Sequence, residues 1–316
     1  MDRQLSLEFA RITEQAALKS ARLVGLGDKE GADQAAVDGM HEQFALTPVS
    51  GTVVIGEGEI DEAPMLYIGE HVGQGGEEVD IAVDPVEGTN LVAKGKNGAI
   101  AVLAIAPKGC LLHAPDMYMQ KICVGPRAKG RIDIRASVTE NLKNVADAMG
   151  REVSDLTMVI LDRERREARE AGARVYLITD GDVVPSVDCG IQGSGIHMVM
   201  GSGGAPEGVL SAVGLKCLGG DMQARLLPQT EQEIQRLHTM GIDDPNKVLT
   251  LDDLVKGDDC IFAETAITDC AMLRGVRFFG GGARTSTLVL RYKTGTVRFI
   301  DTVHRFGEDK PGVRMF

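Results

Sequence analysis

Apolar residues recur at helical spacing across residues 2–24, at Leu5, Phe9, Ile12, Ala16, Ala17 and Leu23, which predicts an amphipathic first helix. Gly25-Leu26-Gly27-Asp28 breaks the pattern, and a second helix is expected to start near Ala32 or Asp33. The apolar runs then shorten. Gly51 to Gly56 reads as a short buried strand ending in glycine, and Val79 to Val83 as a second one stopping at Asp84-Pro85. Ala99 to Ala106 is a continuous apolar run of the kind found in covered sheets. Beyond residue 150, apolar Leu156–Leu161, charged and helical Asp162–Ala171, and apolar Ala173–Ile178 predict a βαβ unit. His197 to Met200 reads as another strand, followed by Gly201-Ser202-Gly203-Gly204-Ala205-Pro206-Glu207. Pro206 suits the first turn of a helix running to about Cys217. Strand-like runs at Cys260–Ile267, Ser286–Tyr292 and Thr296–Ile300 close an α/β chain with no internal repeat. A boundary near residue 150 divides it into halves 1–150 and 151–316.

Composition narrows the class. The 316 residues are 43% apolar and 25% charged, ordinary for a soluble globular protein. No run approaches the roughly 18 apolar residues of a spanning helix. The N-terminus lacks the apolar core of a signal peptide, so the chain is read as cytoplasmic, with no membrane partner. Six cysteines stand apart with no C-x-x-C pair, as buried reduced thiols do, with one regulatory pair brought together by the fold left open. The formal charge of −12 argues against nucleic acid as a partner.

Candidate chemistry gathers where strands end. Glu57 and Glu59 follow the first strand, Asp84 and Glu87 the second, Asp28 and Asp33 flank the first helix break, and Glu207 follows a glycine-rich turn. Hard cations such as Mg²⁺ or Mn²⁺ take oxygen ligands and commonly bridge protein carboxylates to substrate phosphate. Two such ions roughly 3.5–4 Å apart stabilise both oxygens of an in-line displacement. A single acid is ordinarily a solvated charge, the reading that suits Glu77, Glu78 and Glu167. An acid that ends an apolar strand and is followed by Pro-Val-Glu-Gly-Thr is a poor solvated face. Thr89 beside such acids is open between relaying a proton from an attacking water and a plain turn or N-cap role.

Asp84-Pro85-Val86-Glu87-Gly88-Thr89 resembles the Asp-Pro-x-x-Gly-Thr signature of the lithium-sensitive sugar and inositol phosphatase superfamily. Gly56-Glu57-Gly58-Glu59-Ile60-Asp61-Glu62-Ala63-Pro64-Met65-Leu66, Ala114-Pro115-Asp116-Met117-Tyr118-Met119 and Gly203-Gly204-Ala205-Pro206-Glu207-Gly208 are similar, in order, to the motifs of class II fructose-1,6-bisphosphatases. Inositol monophosphatases share only the shorter signature and typically carry Asp at the position of Glu87.

The resemblance implies a layered α-β-α-β-α fold with mixed sheets, a homo-oligomer (tetramer or dimer), and two or more Mg²⁺ or Mn²⁺ ions. It implies Asp33, Glu57, Asp84, Glu87 and Glu207 as metal ligands. Glu87, Gly88, Thr89, Tyr118, Arg163, Glu164, Arg165, Asp180, Gly181, Asp182 and Gly204 would line the substrate site. By residue pattern alone Arg163 and Arg165 read as a solvated helix, Asp180 and Asp182 as turn residues, and Tyr118 equally as a core tyrosine. Arg284, in a glycine-rich stretch, is open between binding an anion and serving as a loop residue, with the loop reading favoured. The implied activity is hydrolysis of the 1-phosphate of fructose 1,6-bisphosphate in gluconeogenesis. Thr89, Asp33 and Glu207 would act on the attacking water, and no separate motif for a covalent nucleophile is present. Sedoheptulose 1,7-bisphosphate presents similar ends and is the alternative substrate; a non-catalytic sugar-phosphate sensor is the alternative class. The substrate is an anion and so is the protein, so bound cations must reverse the local field.

Overall fold

The computed structural model describes residues 1–2, 4–58, 65–161, 165–239, 242–244 and 246–306. The chain opens with α1 (Leu5–Ser20) and α2 (Lys29–Phe44), then β1 (Val49–Ile55), β2 (His71–Val72), β3 (Glu77–Glu87), the short α3 (Thr89–Ala93) and β4 (Ile100–Pro107). It continues through β5 (Tyr118–Val124), α4 (Val138–Met149), β6 (Thr157–Leu161), α5 (Arg165–Glu170), β7 (Arg174–Ile178), α6 (Val183–Asp188) and β8 (Met198–Gly204). Then come α7 (Ala205–Leu218), β9 (Asp221–Leu226), α8 (Glu231–Thr239), β10 (Leu249–Thr250), α9 (Leu251–Leu254) and β11 (Ile261–Ala266). The last strands are β12 (Arg277–Phe279), β13 (Gly282–Arg291) and β14 (Thr296–Arg305).

Two mixed sheets result. The first runs β12-β13-β11-β4-β3-β1-β2, with β14 on the free side of β13, and the second runs β10-β9-β5-β8-β6-β7. β1 is parallel to β3, and β6 is parallel to both β7 and β8; the other pairings are antiparallel. The expected βαβ unit is β6-α5-β7. The chain enters the second sheet at β5 and returns to the first at β11.

The apolar run Ala99–Ala106 lies at the centre of the first sheet because both its faces are covered. Ala101, Leu103 and Ile105 pack with Val53, Val79 and Ile81 against α1 and α2. Val102, Ala104 and Ala106 point the other way, into a core shared with α6, α7 and the inner face of the second sheet. The outer face of the second sheet, with Ile122, Met158, Ile160 and Met200, packs against α4. The order is helices, sheet, helices, sheet, helices, the layering expected. α7 lies in the middle layer, which is why Val209, Leu210, Ala212, Val213 and Leu215 are buried all round it rather than along one stripe.

Four local expectations change. α2 begins at Lys29, not near Ala32, because Asp28 caps it, its carboxylate accepting the Gly31 N–H at 2.8 Å. β3 does not stop at Asp84-Pro85. The β3–β4 register shifts between Asp84 and Glu87, a bulge that absorbs the proline's missing N–H and carries the strand on to Glu87. β8 likewise runs on through Gly201–Gly204. Arg284 lies within β13, paired to Arg277 and Val303, not in a loop. Among the described cysteines all six are free, and the fold brings Cys217 and Cys260 together with their sulfurs 3.7 Å apart. Among the described residues no helix is long and apolar enough to cross a membrane.

Candidate active site

The bulge in β3 matters for chemistry. Residues three apart on a regular strand face opposite sides. With an extra residue between them, Asp84 and Glu87 turn to the same side, and Glu207 arrives beside them from the first turn of α7. One carboxylate oxygen from each of Asp84, Glu87 and Glu207 lies within 4.8 Å of the others. Asp33, on α2, and Glu57, just after β1, form a second pair that shares a hydrogen bond. All five open onto one cavity of about 570 Å³, whose wall also includes Lys29, Gly88, Thr89, Asp116 and Asp180.

The carboxylates stand in the wrong surroundings for charge. Burial, then Asp33, pushes Glu57 up to about 8. Asp84 and Glu87 lie well above the ordinary carboxylate range, first from burial and then from each other's neighbours Glu207, Glu57 and Asp84. Asp33 and Glu207 are raised as well, again chiefly by burial. Oε2 of Glu207 is buried with no hydrogen-bond partner. Acids assembled this closely need positive charge supplied between them. The donor set is all oxygen, with an orphaned buried carboxylate oxygen at its centre, and it fits hard divalent cations.

The other expected positions are distributed around this cavity. Thr89 is the first residue of α3 and lies on the cavity wall beside Glu87 and Gly88. Asp180 accepts a hydrogen bond from Asn90 Nδ2 at 3.1 Å and borders both this cavity and a neighbouring one of about 680 Å³, which Gly181 and Tyr176 also line. Tyr118 begins β5, is half exposed, and lies directly opposite Gly204 of β8. A Cβ on Gly204 would stand 1.9 Å from Glu207 Oε2, so a side chain there would displace the Glu207 carboxylate. Asp182 is not on the cavity wall but buried behind it. Arg163, Glu164 and the candidate Glu59 lie outside the described residues, as does the side chain of Arg165.

Three residues of the site were not singled out from the pattern. Lys29 follows a helix cap and has no distinguishing neighbour in sequence. Asp116 lies in the Ala114–Met119 motif, where only Tyr118 drew a role. Lys121 did leave a signal, as a lysine inside the otherwise apolar strand Tyr118–Val124. Behind the cavity, Glu264 and Asp188 are also buried with carboxylate oxygens lacking hydrogen-bond partners. Burial, followed by Asp188 and Glu87, raises Glu264, and burial pushes Asp188 up to about 7.

Comparison with known proteins identifies the family. The chain is 50% identical to a protein of Synechococcus sp. (strain JA-2-3B'a(2-13)) over the full length of both, and that protein is named D-fructose 1,6-bisphosphatase class 2/sedoheptulose 1,7-bisphosphatase. Proteins of the same name in Trichodesmium erythraeum (strain IMS101) and Crocosphaera subtropica (strain ATCC 51142 / BH68) are 47% and 48% identical. They cover 98% and 96% of this chain and 99% and 97% of their own lengths. The family profile described as bacterial fructose-1,6-bisphosphatase, glpX-encoded, matches residues 3–304. With that match spanning nearly the whole chain, the protein belongs to the bacterial, glpX-encoded, class II fructose-1,6-bisphosphatase family.

Proposed function

We propose that the protein hydrolyses the 1-phosphate of fructose 1,6-bisphosphate, giving fructose 6-phosphate and phosphate, with two or more Mg²⁺ or Mn²⁺ ions. The observation that carries this reading is the convergence of five carboxylates, all raised and none, among the described residues, in an ion pair with a lysine or arginine, on one cavity beside Thr89. Asp33, Glu57, Asp84, Glu87 and Glu207 would hold the ions. Bound there, the ions neutralise the carboxylates and the phosphate and polarise the phosphorus for attack.

The chain's own groups supply the rest. Thr89 Oγ1 orients the attacking water in line with the leaving sugar oxygen, and the water's proton passes towards the carboxylate of Asp33 or Glu207. Glu87 Oε1 accepts the Val183 N–H at 3.1 Å, which ties the start of α6 to this cluster. Asp180 and Gly181, with Asp182 behind them, form the sugar side together with Tyr118 and Gly204. Arg163 and Arg165, with the Tyr118 hydroxyl, would hold the second phosphate, guanidinium groups being suited to it, and Glu164 would line the substrate site. The proposal keeps the division near residue 150: the first half brings four of the five acids, the second brings Glu207 and most of the sugar-side residues. A homo-oligomeric, cytoplasmic enzyme of gluconeogenesis belongs to the same reading.

A second substrate, sedoheptulose 1,7-bisphosphate, is favoured by the double name of the relatives. Phosphate release from each bisphosphate, with Mg²⁺ and Mn²⁺ in turn, tests both. Release from fructose 1,6-bisphosphate that disappears with a chelator is the expected result. No release from either sugar overturns the proposal.

A further inference from the structure

Lys121 lies at the centre of β5 with its side chain 1% exposed. Its Nζ donates to Asp182 Oδ1 at 3.0 Å and to the Gly204 carbonyl at 3.1 Å. Asp182 Oδ2 lies 2.8 Å away, an ion-pair distance without an aligned hydrogen bond. Burial works against the charge on this lysine, but Asp182 and Glu207 outweigh it and raise Lys121 above its ordinary value. Lys121 is a fixed internal cation.

What it fixes is the sugar side of the cavity. Asp182 immediately follows Asp180-Gly181 and directly precedes α6, whose first N–H, that of Val183, is held by Glu87. Gly204 ends β8, faces Tyr118 across the strands, and is three residues before Glu207. The backbone is shaped around the pair: a Cβ on Gly203 would stand 2.2 Å from Asp182 Oδ2 and 3.2 Å from Lys121 Nζ. An ion pair needed only for stability is often replaceable by apolar groups. This one instead spans two segments that meet at the site and contacts a main-chain atom on one of them.

We propose that Lys121 is a positioning residue for substrate: it holds the Asp180–Asp182 turn and the Gly204 peptide at a set separation, so that the sugar-phosphate pocket is formed before substrate arrives. This rests on the sugar-bisphosphatase reading. Preorganisation of this kind acts on substrate affinity rather than on the reacting phosphorus.

The test is steady-state kinetics on fructose 1,6-bisphosphate at saturating Mg²⁺ or Mn²⁺, for wild type, Lys121→Met, Asp182→Asn, the double variant and Lys121→Arg. The double variant removes both charges, so no unpaired carboxylate is left buried and the fold stays testable. Lys121→Met is expected to raise KM about tenfold with kcat within about threefold, and Lys121→Arg to recover part of that KM. If Lys121 acts through Asp182, the double variant is no worse than the worse single variant, roughly tenfold instead of a hundredfold. A lowered melting temperature with unchanged KM in the folded variants makes the pair merely structural and overturns the proposal, as do additive effects on KM. A wild type that releases no phosphate overturns the functional reading and this proposal with it, whereas an active wild type with unaffected variants overturns this proposal alone.

Discussion

Two groups of acidic side chains are buried against the first sheet, and their surroundings run in opposite directions. Asp259, just before β11, is 5% exposed, and Arg291 Nη2 lies 3.2 Å from its Oδ2, with the Met1 ammonium 2.9 Å from the same oxygen. Burial pushes Asp259 up, but hydrogen bonds from the ammonium and Arg291 outweigh that and hold it below the usual carboxylate range. At the other group Asp84 is half-buried on the cavity wall; its neighbours are Glu207, Glu57 and Asp33, and burial together with these acids pushes it well above that range. The same residue type is satisfied at one site and frustrated at the other. Asp259 contributes to the fold; Asp84 is held against its own electrostatics, which points to a ligand rather than to stability.

Substitutions should pull the two groups apart. Asp259→Ala strands Arg291 and is expected to cost about 3–5 kcal/mol, read as a fall in melting temperature, with kcat and KM unchanged below the transition. Asp84→Asn should do the reverse. Turnover is expected to fall by about 10²-fold or more, since even residues that only support a metal ligand typically cost 10–100-fold. The melting temperature of the chelator-treated protein should rise, because a repelled carboxylate has been neutralised. Near-normal turnover of Asp84→Asn at saturating Mg²⁺ or Mn²⁺ would remove Asp84 from the metal set; Glu57→Ala gives a parallel test.

Acidity separates the groups again. Glu57 is raised to about 8, so the metal-free fold is favoured by its protonated form. That contribution is full below the unfolded value near 4.5 and is lost as pH rises through about 8. Asp259, being lowered, contributes above its unfolded value of 3.8 and loses that only as pH falls through the folded one. Chelated protein should therefore melt progressively lower from mildly acidic to alkaline pH. Each proton displaced by metal should improve the apparent metal constant by up to about tenfold per pH unit until pH passes 8. A metal constant that does not vary between pH 6 and 8 would contradict this. The smallest effect is expected at the exposed Arg277–Asp269 pair, both of whose contacts are 2.6 Å. Arg277→Ala should cost no more than about 1 kcal/mol, and a larger loss in a denaturant titration would show that short contacts alone confer stability here.

Much of this was legible in the chain. Helical spacing located α1, the apolar run located β4, and alternation located β6-α5-β7, because each depends on local periodicity. Glu57, Asp84, Glu87 and Glu207 stood out as acids beside glycine or proline at strand ends and turns, whereas their grouping with Asp33 and Thr89 into one site was what the family resemblance implied. The continuation of β3 past Pro85 and of β8 through Gly201–Gly204 was not. Proline and glycine ordinarily end strands, and only pairing to β4 and β5 holds these in place. Lys121 was visible as an oddity in an apolar strand, but its partners are 61 and 83 residues away.

Sequence by itself determined the fold class, the family and the residue types of the acidic site, since periodicity and motif order are properties of the chain. Only the tertiary structure decided that Asp84 and Glu87 face the same way, that Glu207 closes on them, and that Asp182 turns inward to Lys121 while Asp180 stays on the cavity wall. Those outcomes depend on a bulge, a strand register and the space above two glycines. Each is set by atoms far apart along the chain, where local propensity has no reach.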